Sequence, residues 1–141
     1  MNTPPVDDRT AEYILETRRC FEDLKQAASQ IAGVLVLAAA GAKSAAPDHP
    51  LLKRATELYQ EAFDHIRSVR PTERAIVHHD SLVRAAKALA AALAAIPSME
   101  IDPILRLVRM AYSHLQRAAE TLPGFEMIAF EHGCCAVHLQ Q

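Results

Sequence analysis

The side chains with the most chemical potential lie near the end of the chain, where His132, Cys134, Cys135 and His138 fall within seven residues. Imidazole and soft sulfur together form a donor set that suits zinc or a copper ion. The spacing argues against it. Structural zinc takes paired chelates such as Cys-x-x-Cys, whereas adjacent cysteines point apart in a strand or a helix alike. Buried thiols and surface imidazoles are the expected state, with this quartet as the candidate metal site. Nothing in the sequence lowers a thiol pKa, so redox activity or subunit linkage at Cys134 and Cys135 has no support.

A second cluster is His78, His79 and Asp80. An exposed helical histidine followed by an acidic residue can accept a phosphoryl group, which makes histidine phosphotransfer through His78 or His79 a function to weigh. The register of the surrounding apolar residues turns His79 inward and His78 to water, so the histidine directly before Asp80 is the less exposed one. No nucleotide-binding segment accompanies them. A core histidine satisfied by a hydrogen bond is the expectation.

Carboxylates supply the third set: Glu57, Glu61, Asp64 and His65, which could join Glu100, Glu120 or His114 in a bundle-centre metal site. Carboxylate-bridged diiron bundles need inward Glu-x-x-His pairs from two helices, and the sequence has none. A solvated acidic face is expected. There is no glycine-rich phosphate loop, no Gly-x-Ser-x-Gly elbow, no His-Glu-x-x-His and no Cys-x-x-Cys-His. The expectation is a chain without a cofactor and, on balance, without catalytic activity.

The elements that would position these residues are helical. After a leader over residues 1–7, Asp7 and Asp8 can cap a helix running to about residue 40, with Ile14, Phe21, Ala28 and Leu35 interleaved with Thr17, Leu24, Ile31 and Ala38 in a seven-residue repeat. Asp48 and Pro50 start a second helix over 50–69, with a stripe of Leu51, Ala55, Leu58, Ala62, Ile66 and Val69. A third, over 72–96, buries Ala75, His79, Leu82, Ala86, Leu89, Leu93 and Ile96; Asp102 and Pro103 open a fourth, closed by Pro123 and Gly124. The architecture predicted is all-α, an antiparallel up-down four-helix bundle over 8–124. A tail over 125–141 packs on the bundle or on a second subunit. Its apolar runs, 125–130 and 134–139, flank Gly133 and read as a β-hairpin or a short helix, the hairpin being favoured.

Composition agrees. The 141 residues are 50% apolar and 23% charged, a globular balance that suits one domain. Fifteen basic against seventeen acidic residues give a net charge of −2, so no field draws the chain to nucleic acid. Residues 1–8 carry no basic segment followed by an apolar run, which predicts a cytoplasmic protein with reduced thiols. The strongly apolar stretch 31–42 is too short to cross a bilayer, so no membrane span is expected.

That stretch carries the main functional expectation. No charge occurs from 31 to 42, nor from 88 to 96, and alternating helix directions bring both to one end of the bundle. Four consecutive aliphatics, Val34, Leu35, Val36 and Leu37, point around the whole helix. They predict, with Leu89 and Leu93, an interface: a small homodimeric, non-enzymatic protein-interaction or regulatory module, also open to a partner protein. The alternative reading is a carrier of an apolar ligand or, through the tail, of a metal.

Overall fold

The computed structural model describes residues 6–127. It is an all-α, up-down bundle of four helices: α1 (Asp8–Ala39), α2 (Pro50–Ser68), α3 (Ile76–Ala95) and α4 (Ile101–Thr121), with 3₁₀ turns at Glu73–Ala75 and Ile96–Ser98 flanking α3. No strand occurs among the described residues. The expected hairpin or short helix of the tail, beyond Met127, lies outside them, as do His132, Cys134, Cys135 and His138.

Each helix start has a local cause. The Asp7 carboxylate accepts from Thr10 N at 3.0 Å and its pKa is lowered by those hydrogen bonds from Thr10, first among its causes. Two of the predicted caps are corrected. Helix α2 is capped by His49, whose Nδ1 accepts from Leu51 N at 3.1 Å, and not by Asp48. Helix α4 begins at Ile101 with Glu100 at the cap, leaving Asp102 and Pro103 inside its first turn, where the missing proline N–H removes no helical bond.

Directions are fixed by cross-helix contacts. His65 of α2 meets the Glu16 carbonyl of α1 at 3.1 Å, joining the late part of one to the early part of the other. Tyr13 of α1 meets His78 of α3 at 2.8 Å near the start of both. Helices α1 and α3 therefore run parallel, with α2 and α4 antiparallel to them; the closest pairings are α3 with α4 and α1 with α2. Phe21, Leu24, Ile31, Leu82, Leu89, Ile104 and Leu115 fill the shared core.

Helix α1 is the odd member. It has 32 residues against 19 in α2 and 21 in α4, which at 1.5 Å per residue makes it about 16 Å longer than α4. From the contact of Glu16 with His65, antiparallel counting sets Pro50, the first residue of α2, level with residue 31 of α1. Beyond that level α1 has lost a lateral neighbour.

The segment Glu73–Ser98 is long and apolar enough to cross a bilayer by length and composition alone, a test that a core helix also passes. In the fold its inner row, from Ala75 through Leu82 and Leu89 to Ile96, is buried in the core, as a central bundle helix requires.

Candidate functional site

Three places bring polar or apolar groups together in ways the fold itself does not require. The first is a buried polar network near the starts of α1 and α3. Thr10, Thr17 and His78 are all 0% exposed and Tyr13 is 3% exposed. Tyr13 Oη and His78 Nδ1 share a hydrogen bond of 2.8 Å, Thr17 Oγ1 donates to the Tyr13 carbonyl at 2.9 Å, and Thr10 Oγ1 lies 2.8 Å from Thr72 Oγ1. His78 Nε2 is buried without a partner among the described residues. Burial holds the His78 pKa down to about 4 and pushes the Tyr13 phenol up, so both groups stay neutral at pH 7.

This exchanges the predicted roles of the two histidines, although Ala75, Leu82, Ala86, Leu89 and Ile96 are buried as the predicted row requires. His78 faces the core and His79 is the half-buried one, its Nε2 paired with the Ile66 carbonyl at 2.9 Å. The physical reason is lack of contrast: with alanine at 85, 86, 88, 90, 91, 92, 94 and 95, an apolar row can be drawn on more than one side of the helix. The neighbouring Asp80 carboxylate accepts from Arg84 Nε at 2.8 Å.

The second place is a cleft of about 340 Å³ between α1 and α2, lined by Glu16, Arg19, Cys20, Asp23, Glu61, Ala62 and His65. Cys20 is 4% exposed and its thiol is pushed up to about 11 by burial and then by the charge of Asp23, so it is no nucleophile at pH 7. Desolvation raises the Asp23 pKa, against the pull of Arg19 at 3.8 Å. Glu61 and His65 share this cleft, but Glu57 pairs with Arg54 and Asp64 with Arg67 on the wet face. Among the described residues no three His, Cys, Asp or Glu side chains are arranged to hold a metal ion.

The third is the surface of α1, which differs along its length. Near its start it is crossed by a strap formed by the residues after α4. A Cβ built on Gly124 would lie 3.0 Å from Arg18 Nη2 and 3.3 Å from Ile14 Cγ2, and the φ of +97° strains any other residue there. Phe125 then turns inward, its ring centroid 5.2 Å from that of Phe21 and 4.2 Å from that of His78, and Lys25 Nζ donates to the Glu126 carbonyl. Sequence reading placed this phenylalanine in the tail; the structure makes it a lid on the polar network.

At the far end of α1 the surface is apolar and open. Val36 is 66% exposed and Leu37 37% exposed, and a Cβ built on Gly33 would meet nothing within 4 Å. Of the six predicted interface residues, Val34, Leu35 and Leu89 are corrected: at 0%, 2% and 0% exposure they belong to the chain's own core. Leu93 is half-buried. The one-in-four sampling of a helix by four consecutive residues explains the split, since two of them face inward on any bundle helix.

Sequence reading missed Tyr13 and Gly33. The row Tyr13, Thr17, Cys20, Leu24, Ala27, Ile31 and Val34 has helical spacing and was the available signal for the first. A glycine in mid-helix that costs about 1 kcal/mol relative to alanine was the signal for the second. Comparison with family models, with curated proteins and with solved structures finds no match for this chain.

Proposed function

We propose that this chain is a small non-enzymatic interaction module that self-associates through the outward face of distal α1, formed by Ala32, Gly33, Val36, Leu37 and Ala40. What supports this reading above all is Gly33. A mid-helix glycine weakens a helix, and no neighbour among the described residues needs the missing side chain. Close approach of another backbone does need it, and the flanking Val36 and Leu37 supply apolar area for that contact. A second copy is the fitting occupant because the face carries no charge from residue 26 to 42, so a two-fold contact sets no like charges against each other. Among the described residues the strongly perturbed side chains, Tyr13, Cys20 and His78, are all held neutral, which agrees with a binding role.

Light scattering over a concentration series tests it. The parent chain gains mass with concentration toward that of a dimer, and Val36→Glu, which sets a charge at an exposed helical position without touching the core, stays at monomer mass. A parent that remains monomeric at millimolar concentration, or a variant that associates equally well, overturns the reading.

A further inference from the structure

We infer that two copies meet through antiparallel α1 helices crossing at Gly33, so that Lys43 of each comes level with the partner's Glu22; the arrangement rests on the self-association reading. Gly33 marks the crossing. Two crossing helices come closest at one point, and only there does a missing side chain let the backbones approach. A glycine with nothing within 4 Å among the described residues fixes that point on each copy, and two-fold symmetry sets it against itself.

Charge sets the direction. On a helix turning about 100° per residue, Glu22, eleven residues before Gly33, lies about 20° from its line, and Arg19, fourteen before it, about 40° away. Both share the outward face, with side chains 52% and 85% exposed. A parallel pair sets every residue opposite its own copy, Arg19 against Arg19 and Glu22 against Glu22, and like charges oppose that. An antiparallel pair matches residues equally far before and after Gly33. From 26 to 40 that matching sets no charge against any other. Arg19 falls opposite residue 47, beyond the end of α1, and Glu22 opposite Ser44, next to Lys43.

The helix end keeps Lys43 near that level. Gly41, at φ +80°, donates to the Ala38 carbonyl and Ala42 to the Leu37 carbonyl, a glycine-closed terminus that turns the chain aside instead of carrying it onward. Lys43 follows at once, exposed and in no ion pair among the described residues. Glu22 holds only Lys25 of its own helix, at 3.1 Å, and half its side chain faces water. The two-fold repeats the Lys43 and Glu22 pairing at both ends of the contact.

Sedimentation velocity at low ionic strength reads the arrangement from the full chain, Lys43→Glu and Glu22→Lys, with circular dichroism to check that each variant is as helical as the parent. Each single change sets like charges together at both ends of the homodimer and weakens it about tenfold. Mixed in equal amounts, the two variants restore opposite charges at both ends and associate as tightly as the parent, and high salt erases the differences. In a parallel pair the single variants instead match the parent and the mixture exceeds it. That result, or a mixture no tighter than the variants alone, overturns the antiparallel arrangement and leaves self-association in place. A parent that stays monomeric removes both.

Discussion

In the first half of α1 Ile14 and Phe21 lie under the strap, Thr17 is tied to Tyr13 and Tyr13 to α3, and Thr10 is tied to Thr72; Leu15, at 68% exposure, is the one large apolar side chain left open there. In the second half the same helix runs past the start of α2, and Val36 and Leu37 stand side by side on its surface. Each half has one position in or against it that looks unfavourable by itself. Against the first it is His78 of α3, with an unpaired buried nitrogen, and in the second it is a glycine with nothing above it among the described residues. The histidine is explained from within, because neutral imidazole packs between Tyr13 and Phe125 and the cost falls on protonation. The glycine has no explanation among the described residues, and that asymmetry points outward from the distal half.

The comparison is sharpest in core truncation. Phe21→Ala empties a site that is 0% exposed and contacts Phe125 at a centroid distance of 5.2 Å, so it should lower the unfolding free energy by about 3–5 kcal/mol in urea titration. The matched change Val36→Ala, at 66% exposure, should alter monomer stability by less than about 0.5 kcal/mol. Equal effects would mean that the two halves are equally sheltered.

Acid separates the halves next. The His78 pKa is about 4 in the folded chain against 6.5 for the ordinary group, chiefly through burial. As pH falls the unfolded chain takes up the proton first, so this group's contribution is complete above 6.5 and is lost between 6.5 and 4. Between pH 7 and 5 the parent should lose about 2 kcal/mol more than His78→Phe does, read from urea midpoints at both pH values. A parallel pH dependence in the two proteins would show that His78 is hydrated in the native state.

The architecture was legible because Phe21, Leu24, Ile31, Leu82, Leu89, Ile104 and Leu115 are large residues at helical spacing, and prolines and glycines punctuate the ends. Cap identities were less so: His49 displaces Asp48 because imidazole nitrogen accepts an N–H as a carboxylate does. Which of His78 and His79 turns inward was obscured by the alanines of α3, and with it the pairing of Tyr13 with His78. Which of Val34 to Leu37 reach solvent depends on the overhang of α1, a difference of helix lengths that no local pattern records. The lid formed by Phe125 depends on a chain reversal after Gly124 and was equally hidden.

The most direct measurement is the pair of readouts from Gly33→Ala: thermal stability of the dilute chain and its mass at high concentration. Alanine fits the open space above residue 33 and removes the helix penalty of glycine, so the dilute chain should gain about 0.5–1 kcal/mol. The same methyl should hold two α1 helices apart and weaken the dimer. A variant that is more stable and associates as well as the parent, or that loses stability when dilute, contradicts the assignment of distal α1 as the contact surface.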